Sequence, residues 1–244
     1  MDITGVVIAL NEAAKIEACV RSLQRVCKEV IVLDSGSQDD TVARCEQLGV
    51  KVFYHAFEGH IQQKNQALTH ALGPYVLSLD ADEVLSEDLI HSIKEAFSKN
   101  TGPIAYRMPR LNQYCGQWIR YGAWNPDRKI RLWPLGMAHW GGQNPHDRVI
   151  TGPDLPIVDL QGPILHYSYD TKEELRIQSN KFAAIAARER HAHGVPGFSW
   201  PLLRAAFRWL RDFVLKRGFL DGKAGWTIAY ENARYTYLKY HLKP

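Results

Sequence analysis

The stretch Val76-Leu77-Ser78-Leu79-Asp80-Ala81-Asp82-Glu83 runs from a mostly apolar segment into three carboxylates within four positions. An apolar run of that length reads as a strand buried on both faces, as the strands of parallel sheets are. Three acids at its exit repel one another unless positive charge sits between them. Hard divalent cations such as Mg²⁺ or Mn²⁺ take oxygen ligands and often bridge one or two carboxylates to substrate phosphates. A solvated acidic turn followed by a helix cap is the competing account of the same residues.

Two more polar clusters end apolar runs: Leu10-Asn11-Glu12, and Asp34-Ser35-Gly36-Ser37-Gln38-Asp39-Asp40-Thr41. An acid just after an early strand is placed to hydrogen-bond a ribose or base, and Gly36 permits close backbone approach. Taken alone, the second cluster is equally a turn with a helix N-cap at Asp39 or Asp40. Lys64-Asn65 precedes the acidic strand, where an ammonium could reach a diphosphate or simply be solvated. No Gly-x-Gly-x-x-Gly follows the first strand and no Gly-x-x-x-x-Gly-Lys-[Ser/Thr] occurs, which argues against a dinucleotide dehydrogenase and a P-loop enzyme.

These clusters require a scaffold that brings strand ends to one edge, and the patterning supplies it. Strands are predicted at Ile3–Leu10, Glu29–Leu33, Val50–His55 and Tyr75–Leu79. Helices are predicted at Glu12–Val26, 39–48, Ile61–Leu72 and from an N-cap at Ser86 to about Lys99. Strands alternating with helices imply a parallel sheet with right-handed crossovers, whose ligands lie beyond the carboxyl ends of the strands. After Pro103, short runs at Ile104–Arg110, Gln117–Tyr121 and Lys129–Trp133 read as antiparallel strands and loops. Helical patterning returns near Leu175. The expected organisation is an α/β domain over 1–170 and a helical extension over 171–244.

At 244 residues, with 45% hydrophobic and 23% charged residues, the chain buries a full core without staples. Cys19, Cys27, Cys45 and Cys115 have no metal-ligand spacing, and residues 1–10 read as a strand and not a signal peptide, so a reducing cytoplasm is the expected compartment. Residues 1–170 carry 16 Lys and Arg against 20 Asp and Glu, whereas 171–244 carry 14 against 6. A basic end on an acidic body points to an anionic surface as partner.

Together, Ala9-Leu10-Asn11-Glu12, Asp34-Ser35-Gly36-Ser37-x-Asp39-x-Thr41, Lys64-Asn65 and Asp80-Ala81-Asp82-Glu83 resemble family 2 glycosyltransferases, inverting enzymes with the GT-A fold. That resemblance implies a Rossmann-like, mostly parallel sheet with flanking helices and a helical extension. It implies a nucleotide-sugar pocket formed by Leu10, Asn11, Glu12, Asp34, Ser35, Gly36, Lys64, Asp80 and Ala81. Asp34 would meet the nucleoside, Asp80 the ribose, and Asp82 a Mg or Mn ion on the diphosphate. Asn144-Pro145-His146-Asp147 after Arg131-Leu132-Trp133 resembles a family segment carrying the general base. Asp147 is that base by resemblance, replacing the usual Glu, and an Asp147–Arg148 surface pair is the alternative. Arg131 is a candidate phosphate clamp, and His166 matches a position near the metal.

In the basic tail a helix is predicted from Ser199 to Gly218. Leu202, Leu203, Ala206, Phe207, Trp209, Leu210, Phe213 and Val214 fall within an arc of about 160°, with Arg204, Arg208, Arg211 and Asp212 on the other side. Such a helix suits an anionic membrane interface, or else packs its apolar face on the catalytic domain. Lys216-Arg217-Gly218-Phe219-Leu220-Asp221-Gly222-Lys223-x-Gly225, with Asn125-Pro126-Asp127-Arg128 and His166-Tyr167-Ser168, is similar to bacterial β-1,4-glucosyltransferases that extend the inner core of lipopolysaccharide. That similarity implies UDP-glucose as donor, a heptose on a lipid-linked core as acceptor, and a peripheral site on the cytoplasmic face of the inner membrane, with no nucleic acid partner. The competing classes are a sugar-phosphate nucleotidyltransferase, which should carry a Gly-rich, Arg-containing loop after the first strand, and a non-catalytic basic membrane-binding module.

Overall fold

The computed structural model describes residues 1–99, 102–143, 146–191 and 199–242; Asn144 and Pro145 of the candidate base segment lie outside these. In chain order the elements are β1 (Ile3–Ala9), α1 (Ile16–Gln24), β2 (Glu29–Asp34), α2 (Thr41–Gln47), β3 (Lys51–Tyr54), α3 (His60–Leu68), β4 (Tyr75–Asp80), β5 (Glu83–Leu85) and α4 (Glu87–Lys99). There follow β6 (Ala105–Tyr114), β7 (Gln117–Trp118), β8 (Arg128–Pro134), β9 (Ala138–Gln143), β10 (His146–Thr151), β11 (Ile157–Asp159), β12 (Ile164–Tyr169), α5 (Lys172–His191), α6 (Ser199–Leu210) and α7 (Gly222–His241). Two compact units result: Met1–Arg110 with Arg128–His166, and Leu111–Asp127 with Tyr167–Pro244.

The first unit holds the expected α/β sheet. β3, β2, β1 and β4 lie side by side and parallel, and β8 then runs antiparallel to β4. β4 is buried along Val76–Leu79, as a strand covered on both faces must be. Leu77 and Leu79 face one core with Ile16, Val20 and Leu23 of α1, while Val76 faces another with Ala67 of α3, Trp133 and Trp140. The pairing register sets Ala9 beside Asp34 and Ile8 beside Asp80. Three strand exits therefore share one edge, neighbours about 4.8 Å apart. β9 and β10 form a separate antiparallel hairpin with Asp147 opposite Gly142 and Val149 opposite Trp140.

The elements predicted before residue 100 have the expected types and differ only at their ends, whereas β5, β11, β12 and the β9–β10 hairpin are not among the predicted elements. α1 begins at Ile16, not Glu12, because the intervening backbone bonds to the β2 exit loop. Asn11 N–H donates to Ser37 Oγ (2.9 Å), Glu12 N–H to Thr41 Oγ1 (2.8 Å) and Ala13 N–H to Asp39 Oδ2 (3.1 Å). Ser86 caps α4 as expected, its Oγ accepting Leu89 N–H at 3.2 Å.

In the second unit, β7 stops at Trp118 and not Tyr121. After Ile119, whose N–H still donates to the Asn112 carbonyl (2.9 Å), the backbone N–H groups of Arg120 and Tyr121 go to the buried carboxylate of Asp221. α7 packs between α5 and α6. The predicted 199–218 helix is α-helical to Leu210 and continues as a π-helical turn, Arg211–Leu215, then a 3-10 turn, Gly218–Asp221. Gly225 of α7 meets that turn so closely that a Cβ there would lie 1.8 Å from the Gly218 carbonyl oxygen. Among the described residues no helix is long and apolar enough to cross a membrane.

Candidate active site

The polar exits of β1, β2 and β4 are built differently. Asp34 is buried, and its carboxylate accepts Gly36 N–H (2.7 Å), Ser37 N–H (2.9 Å) and Ser37 O–H (2.5 Å), which folds the loop back over the end of β2. Gly36 closes that loop with φ +99°, a conformation that L side chains rarely adopt. Ser35 receives a hydrogen bond from the buried carboxamide of Gln63, whose same nitrogen donates to the His55 carbonyl. Asn11, at φ 55°, accepts Gln38 N–H, so the loops after β1 and β2 are stitched together, and Leu10 projects beside them 47% exposed.

At the β4 exit the acids divide their partners. Asp80 meets Lys64 Nζ at 2.8 Å and Arg131 Nη2 at 2.9 Å. Glu83 is fully buried, accepting from Arg131 (2.7 Å), Arg110 (3.1 Å) and the Asp80 backbone N–H (3.0 Å). It anchors the turn through buried Ala81. Lys64 continues the chain of charge, donating to Asp147 Oδ2 at 2.7 Å from the hairpin. Its ammonium lies 4.2 Å from the centre of the Trp140 ring, and the Arg131 guanidinium lies 5.0 Å from it, so both cations stand over the same indole. Desolvation pushes the Asp80 carboxyl up, but Lys64 and Arg131 more than reverse this and hold it well below the usual carboxylate range. The cluster of Asp80, Glu83 and Asp147 with Lys64, Arg131 and Arg110 is balanced in charge.

Asn65, next to Lys64, grips the hairpin. Its Nδ2 donates to the Trp140 carbonyl (2.8 Å) and its Oδ1 accepts Trp140 N–H (2.9 Å), reproducing the pairing of a neighbouring strand. Val149 and Asp147 lie on the same face of β10 as the Trp140 pair, since they are two residues apart. The amide that fixes Trp140 therefore also fixes where Asp147 meets Lys64.

Negative charge in excess of nearby permanent cations gathers elsewhere, around Asp82 and Glu12. Asp82 Oδ2 is 3.2 Å from His166 Nε2, brought there by the pairing of β5 with β12 that sets Glu83 opposite His166. Burial raises Glu12 to about 7, and Asp82, Asp39 and Asp80 push the same way against Lys15. Among the described residues no group of three or more His, Cys, Asp or Glu could by itself hold a metal ion. A carboxylate and an imidazole in contact, beside surplus negative charge, nevertheless fit a divalent ion, which Asp82 and His166 would hold.

The structure thus brings Leu10, Asn11, Glu12, Asp34, Ser35, Gly36, Lys64, Asp80, Ala81, Asp82, Arg131, Asp147 and His166 into one unit. Arg204, Arg208 and Arg211 belong to the other. Arg131 is 2% exposed. Arg208 and Arg211 both bond the buried Asp212, at 2.8 and 2.7 Å. Arg204 bonds the Tyr240 hydroxyl at 2.7 Å. Glu83, Arg110, Asn65 and Trp140 join the site without having been singled out for it. Glu83, as the third acid of its stretch, and Asn65, as the neighbour of Lys64 in its motif, carried a signal; Arg110 and Trp140 carried none.

The sequence profile described as glycosyl transferase family 2 matches residues 4–149. An uncharacterised glycosyltransferase of Rickettsia felis is 31% identical over 91% of this chain and 82% of its own length. A lipopolysaccharide core biosynthesis glycosyltransferase of Rhizobium meliloti, LpsC, is 24% identical over 100% of this chain and 94% of its own. The crystal structure of Staphylococcus aureus TarS superposes with a TM-score of 0.51 at 14% identity, covering 95% of this chain and 55% of that one, and shares the fold.

Proposed function

The chain belongs to glycosyl transferase family 2, and from that premise we propose that it moves glucose from UDP-glucose to the heptose of a lipid-linked lipopolysaccharide inner core, with inversion at the anomeric carbon. The observation that carries the reading is the convergence of the β1, β2 and β4 exits with Lys64 and Asp147 in one charged cluster. The length-wide similarity to LpsC supports the choice of acceptor class. The enzyme works peripherally at the cytoplasmic face of the inner membrane, against an anionic lipid surface.

The nucleoside lies on the loops after β1 and β2, where Asn11, Ser35 and the backbone around Gly36 offer hydrogen bonds, and Asp80 meets the ribose. Arg131 acts on the donor through Asp80, which it holds, and not by touching phosphate. Asp82 and His166 would hold the Mg or Mn ion, which when bound stabilises charge developing on the leaving diphosphate. Lys64 supplies a fixed positive charge between donor and base. Asp147 takes the proton from the attacking acceptor hydroxyl. A screen of UDP-sugars for hydrolysis or transfer with Mg²⁺ or Mn²⁺ tests the reading; turnover of none of them would end it.

Two substitutions separate the parts. With Asp82→Ala, the gain in UDP affinity on adding Mn²⁺ is expected to shrink by about 10²-fold, since even outer-shell losses cost 10–100-fold. Calorimetric titration with and without Mn²⁺ reads this directly, and an undiminished gain would remove Asp82 from the metal. Asn65→Ala releases the hairpin from α3 without touching the nucleoside loops. Its kcat is expected to fall about 10²-fold, the cost of misplacing a reacting group by about 1 Å, while the KM for donor stays within about twofold. A parallel rise in donor KM would show that Asn65 supports the donor pocket and not the base.

A further inference from the structure

We propose that the second unit docks on an anionic lipid bilayer through the outward face of α6 and the turns that follow it. The proposal deepens the membrane part of the reading above, yet it stands on this surface alone. α6 packs on α7 in an unusual sense. Pro201, Ala205 and Asp212 are the buried positions of the stretch from α6 into the π-helical turn, and they fall within about 40° of one another at 100° per residue. Asp212 is held there by Arg208, Arg211 and Asn232. Trp209 and Phe213 flank this seam, stacked on each other and edge-on to Trp226.

The small and charged side of the helix therefore faces the protein, and the apolar side faces out. Leu202, Leu203, Phe207, Leu210 and Val214 are exposed, Leu203 at 64% and Phe207 at 61%. Leu215 (65%), Phe219 and Leu220 of the following turns extend the same exposure. A soluble protein rarely leaves so many neighbouring large apolar side chains in water without a partner. An open groove of about 410 Å³ beside Leu203 and Phe207 is closed on its far wall by Tyr240, with Arg204 lying over the Trp200 and Tyr240 rings.

Charge selects the occupant. Asp212, Asp221 and Glu231 are the acids between residues 199 and 242, and they are 1%, 5% and 1% exposed. Arg204, Lys216, Arg217 and Lys223 are exposed around the apolar face. From residues 199–242, then, solvent meets apolar and cationic side chains and no exposed carboxylate. That combination matches acyl chains beneath anionic headgroups. A second copy presenting the same face would bring like charges together.

Co-sedimentation with vesicles tests this. The full chain is expected to pellet with phosphatidylglycerol–phosphatidylcholine vesicles and at least about tenfold less well with phosphatidylcholine alone. Leu203→Glu with Phe207→Glu, both at exposed positions, is expected to lower binding to the mixed vesicles by about tenfold or more, with UDP affinity unchanged. Wild type remaining in the supernatant, or the double variant pelleting as well as wild type, would overturn the proposal. So would a dimer in sedimentation velocity that the double variant converts to monomer, which assigns the face to a second copy. Failure of UDP to bind would sink the catalytic reading and leave the vesicle result standing.

Discussion

Lys64→Met is expected to destabilise the protein by about 3 kcal/mol at pH 7 and to abolish most transfer. Lys64 is 4% exposed and stands between two carboxylates, 2.8 Å from Asp80 and 2.7 Å from Asp147. Methionine fills a similar volume over the Trp140 ring but leaves those carboxylates facing each other with their shared cation gone. Breaking a buried pair in this way costs roughly 3–5 kcal/mol. The lower end applies, because Asp80 keeps 27% of its side chain exposed and Arg131 remains beside it. The sign with pH is fixed by Asp80. Its carboxyl is held well below the usual range in the folded protein, so it contributes stability above its unfolded pKa, and that contribution fades as pH falls toward the folded value. Removing Lys64 raises the folded value and takes away much of the contribution. The gap between wild type and Lys64→Met should be widest near pH 7 and narrow below about pH 4, where carboxylates become protonated in the unfolded chain. Thermal unfolding at both pH values checks this; a gap that does not change with pH would mean lost packing, not lost charge, sets the cost.

The sequence made half of this cluster legible. An apolar run ending in acids specifies a buried parallel strand and its exit, with Val6 and Val76 turned to one core and Val7 and Leu77 to the other. Asp34, Asp80 and Asp82 could therefore be assigned to one edge. The partners of those acids could not. Lys64 reads as a solvated or phosphate-seeking lysine until α3 and the hairpin are placed together, 83 residues apart in the chain. Arg131 reads as a phosphate clamp because nothing local shows that Glu83 turns inward to meet it. The tail left two surfaces open for a related reason. A helical wheel assigns the apolar arc of 199–214 to whichever surface is available, and the burial of Asp212 that turns this arc outward depends on Arg208, Arg211 and Asn232 jointly.

Asp147→Asn is expected to lower kcat by about 10²–10⁴-fold, the range a general base contributes, while leaving UDP affinity within about twofold. The amide oxygen can still accept from Lys64 Nζ at the position Oδ2 holds now, and Asn65 still clips Trp140. The hairpin should therefore keep its place, and the melting temperature should fall far less than in Lys64→Met. What the amide cannot do is take a proton from the acceptor hydroxyl. These two variants separate charge from chemistry: one loses the cation and with it both stability and transfer, the other loses only the proton acceptor. A residual kcat above about a tenth of wild type, with UDP still bound, would place the base on another residue. Glu12 is the next carboxylate to try, since burial and the neighbouring acids already raise it to about 7, within reach of proton transfer at neutral pH. It lies at the β1 exit beside Asp82, on a different element from the hairpin that carries Asp147. A base there would require the acceptor hydroxyl to approach from the nucleoside edge, so the Asn65→Ala defect in kcat should then vanish as well.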